Sequence, residues 1–465
     1  MRAGVIGLAL LVLTSSSPAP DAVDDYVRAQ MKTQSIPGLA LGIARNGRLV
    51  KAEGYGIADL DHDVPVTVDT VFEVASITKQ FTASLIMTLV EQGKLRLEDK
   101  VSAYLTDPPD AWRDVSIYHL LTHTAGLAPL GDDFKSMVWT STVKTPALYA
   151  AAKADPMGSA PGAKFSYSDV GYFLLGMVIE KVTGQRYKDA LSERILVPLG
   201  MSSSRMLDQL HPLKHLARGY TLYTNPGNSV QEVVNIRRVH DVELPSHYGL
   251  FSTVPDLAKW DAALYREQPL KSASLQQMWT PGKLNDGSRT SYGFGWELST
   301  RHGHKIVGHS GLTGTYILRA PDLSLTVIVL TNLGRWASNP SRGADARKIA
   351  SDVADLVEPR LRLTPITDPD PQLTRKLRGV FTDLSRGVVD STLVSPPVAK
   401  EVADNKDGIV RFFGRLGAVR SIALVDRYDE AGDLSLRYRV IGEKDSVVFL
   451  VRVNRLGTIV ELSPE

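Results

Sequence analysis

Glu73-Val-Ala-Ser76-Ile-Thr-Lys79-Gln-Phe-Thr-Ala-Ser84 is the segment from which both the fold and the chemistry of this chain can be predicted. Apolar residues follow its first serine at four-residue spacing: Ile77, Phe81, Leu85 and Leu89. This spacing is typical of an α-helix, and further apolar residues around its circumference indicate that the helix is buried. We expect the helix to begin at Ser76, which would cap it, and to end at Gly93.

The side chains of Ser76 and Lys79 share one face of this predicted helix, because residues three apart are neighbours on a helix surface. A serine hydroxyl becomes a good nucleophile when a base takes its proton. A buried lysine with a lowered pKa can be that base, and a helix N-terminus stabilises the developing negative charge. About one or two Ser-x-x-Lys spacings are expected by chance in a chain of this size. Without partners, a polar helix start followed by an exposed lysine is the simpler interpretation.

The composition describes a globular protein with two or three structural units, since 465 residues exceed one ordinary domain. Hydrophobic residues make up 43% of the chain and charged residues 22%, with a net charge of +2. We find no basic stripe with interleaved aromatic residues, so we expect no nucleic-acid partner. The chain has no cysteine, which excludes disulfides, thiolate metal sites and cysteine catalysis.

Residues 1–22 fit a secretory signal peptide. Met1-Arg2 provides a short cationic start, an apolar run follows, and small residues lead to a cleavage site near Ala19 or Ala22. The apolar run is too short to span a bilayer, and no other stretch is long and apolar enough to do so. We therefore expect an exported protein, periplasmic or secreted, without a membrane span in its mature form. A membrane anchor or a flexible tail is the alternative.

His119 and His123 are spaced four apart, as a metal-binding pair would be. A metalloprotease motif would need Glu after the first histidine, and that position is Leu120. We expect the two histidines to be structural residues of a helix and the loop that follows it. The sequence thus predicts neither a metal site nor a cofactor.

Tyr167 precedes a second predicted helix, which begins at Ser168 and Asp169 and ends at Gly184. A side chain at such a junction between loop and helix can project into a cleft. Near a protonated lysine, a tyrosine has a lowered pKa and can share the task of accepting a proton. An ordinary half-buried tyrosine is the alternative.

His309-Ser310-Gly311 lies between two predicted strands. The segment looks at first like a nucleophile elbow, but that motif needs Gly two positions after the serine, where this chain has Leu312. It also lacks the strand, turn and helix that an elbow requires. An α/β-hydrolase fold is therefore a poor match.

Together, Ser76-x-x-Lys79, Tyr167-Ser168-Asp169 and His309-Ser310-Gly311 resemble the three motifs of the serine β-lactamase and penicillin-binding protein superfamily. Their order and wide spacing are similar to its class C-like branch, which includes D-aminopeptidases and esterases. The resemblance covers about residues 24–358. It implies a mixed α+β, β-lactamase/transpeptidase-like fold: an antiparallel sheet flanked by helices, plus a helical region. The chain ends would supply the strands, from residues 39–55 and 292–331.

The resemblance also implies roles for individual residues. Ser76 would be the acylated nucleophile, and Lys79 with Tyr167 a coupled base whose protons belong to the pair. Backbone N–H groups of Ser76 and Leu312 would form the oxyanion hole. Four further residues would contact the substrate: Asp169, His309, Ser310 and Gly311.

Two positions depart from the family pattern. Asp169 stands where Asn is usual; a carboxylate only accepts hydrogen bonds, so it suits a donor or cationic substrate group, or it tethers Lys79. His309 stands where β-lactamases have Lys, and its charge would be only partial near neutral pH. Both changes favour a peptidase or esterase acting on a small amide, ester or peptide. A β-lactamase and a non-catalytic penicillin-binding-like sensor are the alternatives.

The composition changes after Pro359. A linker rich in Pro and Asp, residues 361–371, separates the predicted hydrolase domain, residues 23–360, from a small α+β domain, residues 372–465. Its helices are expected at about 372–386 and 408–415, followed by four strands of an antiparallel meander. We find no catalytic cluster there and expect a binding or packing role. The sequence predicts neither the ligand of this domain nor the oligomeric state.

Overall fold

The computed structural model of the chain describes residues 21–128, 142–206, 208, 211–224, 231–236, 241–334, 343–430 and 433–464. Its α-helices are α1 (Ala22–Gln34), α2 (Thr78–Glu91), α3 (Ile117–Leu121), α4 (Thr145–Ala154), α5 (Asp169–Thr183), α6 (Tyr187–Leu191), α7 (Val254–Tyr265), α8 (Ser272–Met278), α9 (Ala346–Val357), α10 (Pro371–Leu384), α11 (Pro396–Asp404) and α12 (Lys406–Leu416). The shorter helical turns are Ala75–Ile77, Val101–Ala103, Asp110–Trp112, Ser192–Leu196, Pro321–Leu323 and Pro359–Leu361.

The strands fall into one large sheet, one four-stranded sheet and several short pairs. They are β1 (Gly38–Arg45), β2 (Arg48–Asp59), β3 (Val64–Pro65), β4 (Phe72–Glu73), β5 (Thr142–Val143), β6 (Arg205–Met206), β7 (Tyr220–Thr224), β8 (Gln231–Asn235), β9 (Asp241–Val242), β10 (Leu250–Ser252), β11 (Glu297–Arg301), β12 (His304–Gly311), β13 (Thr315–Ala320), β14 (Leu325–Thr331), β15 (Val419–Glu430), β16 (Asp433–Gly442), β17 (Ser446–Val453) and β18 (Ile459–Pro464).

The large sheet is antiparallel and has the order β11-β12-β13-β14-β1-β2-β3. The β1–β2 hairpin turns at Asn46 and Gly47, which both have positive φ, as the sequence predicted. Pairing of β1 with β14 places Leu39 opposite Thr331, so strands distant in the sequence meet at the centre. The predicted origin of the sheet from the two ends of this region is confirmed. The segment from Tyr292 to Trp296 is not part of a strand, however, since β11 begins at Glu297.

Helices cover both faces of this sheet. On one face, α1 and α9 bury apolar side chains against β1, β13 and β14, including Val27, Ile349 and Val353. On the other face, α7 packs against β1, β2 and β14 and joins a larger core that contains α2 and α5. The structure therefore has the mixed α and β architecture that the sequence predicted, with α2 at the boundary between sheet and helical region.

The nucleophile candidate lies in a turn that leads into α2. Ser76 is the middle residue of the 3₁₀ turn Ala75–Ile77, and α2 itself begins at Thr78. The expectation that Ser76 caps the helix is wrong, because no side-chain cap bond is made there. Instead the Thr78 hydroxyl donates to the Ala75 carbonyl at 2.6 Å. From Thr78 to Leu89 α2 is fully buried, which holds the turn rigidly.

The C-terminal region, residues 371–464, has its own sheet and core. The sheet order is β15-β16-β17-β18, all antiparallel, and Phe381, Phe413 and Phe449 pack between it and the helices. Helix α11 was not predicted; its first two residues are prolines, which fit a first helical turn. The proposed signal peptide lies largely outside the described residues. Within the part of the chain that the structure describes, no helix is long and apolar enough to cross a membrane.

Candidate active site

Lys79 is the centre of the site. Its side chain is completely buried, and its Nζ lies 3.0 Å from Ser76 Oγ, 2.7 Å from Asp169 Oδ1 and 2.8 Å from the His247 carbonyl oxygen. The carboxylate and the carbonyl can only accept hydrogen bonds, whereas the serine hydroxyl can either donate or accept. A neutral amine would therefore donate to Asp169 and His247 and turn its lone pair to Ser76. A protonated amine would donate to all three, so a proton can pass between Ser76 and Lys79 without rearrangement.

The surroundings of Lys79 shift its pKa downward, which is the direction that a general base requires. Burial lowers the pKa of Lys79, and the charge of Asp169 and its hydrogen bond oppose that effect. The same ion pair holds the pKa of the Asp169 carboxyl at about 2, against the desolvation that would raise it. Asp169 therefore stays ionised and tethers Lys79, one of the two roles expected for it.

Tyr167 lies directly before α5, at the junction of loop and helix, as predicted. Lys79 Nζ is 4.8 Å from the centre of its ring. Although 38% of the residue is exposed, the protein around the hydroxyl raises the pKa of Tyr167 well above its usual value, and the Asp169 charge adds to the rise. A hydrogen bond with Ser76 works in the opposite direction. The prediction that lysine lowers this pKa is wrong, because desolvation is the larger effect.

The turn that carries Ser76 is held by the β12–β13 turn and the first residue of β13. Thr313 and Thr315 donate side-chain hydrogen bonds to the carbonyls of Glu73 and Val74 at 2.6 Å and 3.1 Å. Ala75, directly before the nucleophile candidate, has φ of +46°, a conformation that costs energy for a residue with a side chain. The two threonines thus hold a strained backbone in the position that directs Ser76 toward the cleft.

Gly311 allows this close approach. A Cβ atom at this position would lie 2.1 Å from Thr315 Oγ1 and 2.5 Å from the Val74 carbonyl oxygen, both too short for real contacts. Only glycine lets the end of β12 pass so near the turn. The first and third motifs are therefore in contact. Their spacing in the sequence could not show this.

His309 lies beneath the cleft. It is 1% exposed, its Nε2 is 2.7 Å from the Tyr292 hydroxyl, and its Nδ1 is 2.7 Å from the Ser310 carbonyl. Burial lowers the pKa of His309 to about 4, so the ring is neutral near neutral pH. The expectation of a partial charge there is wrong, because it rested on the pKa of a solvated histidine. In this arrangement Nδ1 donates to the carbonyl and Nε2 accepts from Tyr292.

Ser310 faces the cleft and is held by a residue that sequence reasoning did not single out. Glu297 Oε1 accepts from the Ser310 backbone at 3.3 Å and from its hydroxyl at 2.8 Å. The other oxygen of Glu297 pairs with Arg347 on α9. The Arg347 guanidinium also lies over the Tyr316 ring, so an ion pair stands at the rim beside the third motif.

The cleft has a volume of about 990 Å³. Ser76, Tyr167 and Asp169 form one part of its lining, and Ser310, Gly311 and Leu312 lie opposite them. Leu312 is 40% exposed and follows the end of β12, so its backbone is placed at the cleft beside the nucleophile candidate. All predicted site residues are brought to this place, with Lys79 and His309 behind its surface.

Other residues of the site were missed by the sequence analysis. His247 contributes its carbonyl, and Tyr292 fixes the ring of His309. His123 packs 4.3 Å from Tyr167, ring centre to ring centre, and its Nδ1 accepts from the Ser168 backbone at 3.1 Å. His119 instead caps α3 through Ser116. Within the described residues, no group of three or more His, Asp or Glu side chains is arranged to hold a metal.

Comparisons with known proteins agree with this geometry. The model of the family described as Beta-lactamase matches residues 23–353. Penicillin-binding protein 4* of Bacillus subtilis (strain 168) is 31% identical over 351 residues, which cover 66% of this chain and 77% of that protein. The octameric penicillin-binding protein homologue from Pyrococcus abyssi superposes with a TM-score of 0.62 at 25% identity, covering 92% of this chain and 89% of that chain.

A third similar protein is the D-amino acid amidase from Ochrobactrum anthropi SV3, whose structure was solved with D-phenylalanine. It superposes with a TM-score of 0.62 at 22% identity, covering 73% of this chain and 99% of that chain. At this identity the likeness shows a shared fold. The fold predicted from the three motifs, a sheet with flanking helices and a helical region, is therefore confirmed.

Proposed function

Since the chain belongs to the β-lactamase family of serine hydrolases, we propose that it cleaves small amides or esters through an acyl-enzyme formed on Ser76. The observation that carries this proposal is the 3.0 Å contact between Ser76 Oγ and the buried amine of Lys79. That contact joins a nucleophile to a base whose pKa is lowered by burial. A protein that binds its ligand without forming a covalent bond would need no such base.

The pKa shifts divide the proton transfers between two residues. Burial lowers the pKa of Lys79 and raises the pKa of Tyr167, and neighbouring groups whose pKa values are driven apart are suited to act as base and acid. We therefore assign proton acceptance from Ser76 to Lys79, and proton donation to the leaving group to Tyr167. This assignment separates the roles of a pair that the sequence treated as one coupled base.

In acylation, Ser76 Oγ attacks the carbonyl carbon and its proton passes to Lys79. Negative charge collects on the carbonyl oxygen, where backbone N–H groups of Ser76 and Leu312 would stabilise it; one such donor contributes about 2.7–4 kcal/mol to lowering a barrier. The bond to the leaving amine or alcohol then breaks, and Tyr167 donates its proton to the departing atom. Transfer of the proton from Lys79 to Tyr167 restores the acid. Water then attacks the acyl carbon, the bond between that carbon and Ser76 Oγ breaks to release the carboxylic acid, and a proton from the water restores the Ser76 hydroxyl.

Two features of the cleft favour a peptidase or esterase over an efficient β-lactamase. Asp169 accepts hydrogen bonds only, and with 35% of its side chain exposed it can also meet a donor group of the substrate. His309 is buried and neutral, so it supplies no cation for the carboxylate that β-lactams carry. An amino-acid amide or ester, with an N–H donor near the carbonyl, suits both features.

The test is a comparison of three substrates: p-nitrophenyl acetate, D-alanine p-nitroanilide and benzylpenicillin. We expect the ester and the anilide to be hydrolysed with kcat/KM well above that for the β-lactam. Ser76→Ala should remove all three activities and keep the circular dichroism spectrum and Tm of the wild type. Preferred hydrolysis of benzylpenicillin would establish a β-lactamase instead. No hydrolysis of any of the three would contradict the proposal.

We also propose that the protein is exported, since residues 1–22 have the cationic start, apolar run and small-residue exit of a signal peptide. Mass spectrometry of the mature protein recovered from a bacterial host would test this. A mature N-terminus near residue 20 or 23 is expected. An intact Met1 or Arg2 on protein that remains in the cytosolic fraction would contradict it.

A further inference from the structure

The catalytic cleft continues beyond the large region and reaches the C-terminal region. The same 990 Å³ cavity that contains Ser76 is also lined by Phe412, Arg415 and Leu416 of α12 and by Val447 of β17. Phe412 and Val447 are half-buried, whereas Arg415 is exposed. The wall at this end therefore combines an apolar surface with charged groups, since Arg439 and Asp445 line it together with Arg415.

Helix α9 forms the side of the cleft between its two ends. Arg347, Ser351 and Asp355 line the cavity at four-residue spacing, while Ile349 and Val353 face the sheet core. Arg347 and Asp355 are eight positions apart, which corresponds to about 12 Å along the helix axis. An extended peptide covers about 3.3–3.6 Å per residue, so this track matches about three or four residues. The space is longer than a single amino-acid amide requires.

The charges along this track are mostly neutralised by neighbours. Arg347 pairs with Glu297, Lys348 with Asp352 at 2.6 Å, and Arg301 with Asp355 at 3.0 Å. Among the cleft-lining cations in the described part of the chain there are two more, both in the C-terminal region. One of them, Arg439, donates to the Leu363 carbonyl at 2.8 Å.

Arg415 is the remaining cation and has no hydrogen-bond or ion-pair partner among the described residues. A guanidinium group presents several N–H donors in a fork that fits a carboxylate. The cleft-lining cations of the large region are paired with carboxylates and Arg439 is half-buried, so the exposed Arg415 is the group best placed to meet an anion at this end.

The C-terminal wall is held in place by polar contacts with the large region. The His302 backbone, at the β11–β12 turn, donates to Asp426 Oδ2 at 3.0 Å, and Asp426 forms a buried ion pair with Arg437. In the linker, the Ile366 backbone donates to the Leu424 carbonyl at 2.9 Å. Strand β11 begins at Glu297, which binds Ser310, and leads to the turn at His302, which binds the C-terminal region.

We infer that the C-terminal region supplies a distal subsite for an extended substrate, in which Phe412 and Val447 contact an apolar portion and Arg415 binds an anionic end group. The substrate class is an ester or amide of peptide-like length whose end remote from the scissile bond carries a carboxylate. This inference rests on the proposed hydrolysis at Ser76. It adds the location of the part of the substrate that is remote from the scissile bond. It gives the C-terminal region a role in specificity.

The test uses full-length protein and matched esters with a three-residue glycine spacer, attached to either the acyl or the alcohol part. The spacer ends in carboxylate, carboxamide or a primary ammonium. For wild type we expect kcat/KM to be highest for the carboxylate in one of the two series. Arg415→Glu should lower the kcat/KM of the carboxylate ester relative to that of the carboxamide ester about five- to tenfold. It should raise the kcat/KM of the ammonium ester relative to that of the carboxamide ester. Arg411→Glu, one turn earlier on α12 and outside the cavity lining, is the control with the same change in net charge.

The outcomes separate the two proposals. The distal subsite would be overturned if the kcat/KM ratio of carboxylate to carboxamide ester were equal in wild type, Arg415→Glu and Arg411→Glu. It would also be overturned if both variants changed this ratio by the same factor. If the wild type cleaves none of the esters, the proposed function fails and the subsite with it. A shift confined to Arg415→Glu would support the subsite, and the series that shows it would identify which side of the scissile bond lies along α9.

Discussion

Asp169 accepts a hydrogen bond of 2.7 Å from the amine of Lys79, a side chain that is completely buried. Burial alone would lower the pKa of Lys79 strongly, and the Asp169 charge limits that effect. The usual family residue at this position, asparagine, carries no charge. If Lys79 is the base, as proposed, the pH at which it becomes active is set in part by this one carboxylate.

Asp169→Asn should shift the pH dependence of kcat/KM. The rising limb reports loss of the Lys79 proton, because only the neutral amine can accept from Ser76. Removing the neighbouring negative charge destabilises the ammonium and lowers the pKa of Lys79 further, so the limb should move to lower pH. Initial rates from pH 5 to 10 would measure it. The control is Asp189→Asn, which removes a carboxylate from an exposed ion pair with Arg186. If the rising limb of Asp169→Asn stayed unchanged or moved to higher pH, the account would be contradicted.

Gly311→Ala should disturb the nucleophile through the backbone. The new Cβ would meet Thr315 Oγ1 and the Val74 carbonyl, so β12 must shift away from the 3₁₀ turn. We expect a loss of about 1–3 kcal/mol in the free energy of unfolding and a larger relative loss in kcat. Urea unfolding and steady-state kinetics measure the two effects.

Gly379→Ala provides the matched comparison for that variant. Gly379 lies within α10, where nothing is within 4 Å of the added Cβ. Alanine there should increase stability by about 0.5–1 kcal/mol and leave kcat unchanged. Equal behaviour of the two variants would show that the close approach at Gly311 is unimportant.

His309→Lys should cost stability and should not create a carboxylate site. The ring is 1% exposed and engages Tyr292 and the Ser310 carbonyl, so an ammonium placed there would be desolvated and would disrupt both hydrogen bonds. The neighbouring carboxylate, Glu297, is already engaged by Arg347 and by Ser310. We expect a loss of about 3 kcal/mol in the free energy of unfolding. His304→Lys, on the same strand and beside Asp322, should change it by less than about 0.5 kcal/mol. A stable His309→Lys variant with raised activity on carboxylate-bearing substrates would contradict the buried position.

Local sequence signals predicted the elements that carry the site. Asn46-Gly47 fixed the first hairpin, and Ser168 with Gly184 marked the ends of α5, because caps and positive-φ turns depend on a few adjacent residues. The three motifs then placed Ser76, Lys79 and Tyr167 together. Such features are readable without the tertiary structure.

The remaining features depend on contacts between distant segments. The pKa of Tyr167 rises because protein surrounds its hydroxyl, and that of His309 falls for the same reason. Neither the His247 carbonyl nor Glu297 belongs to a recognisable motif, since each acts through its position in space. The contribution of α12 and β17 to the cleft was likewise invisible, because it arises from the way the C-terminal region docks.

The most direct measurement of the central claim is the intact mass of wild type and Ser76→Ala after acid quenching of a brief reaction with p-nitrophenyl acetate. Peptide mapping would then locate any acetyl group. We predict a single acetyl adduct in the wild type, on the peptide that contains Ser76, and none in the variant. An adduct of equal amount in Ser76→Ala, or one mapped to another residue, would contradict the assignment of Ser76 as the nucleophile.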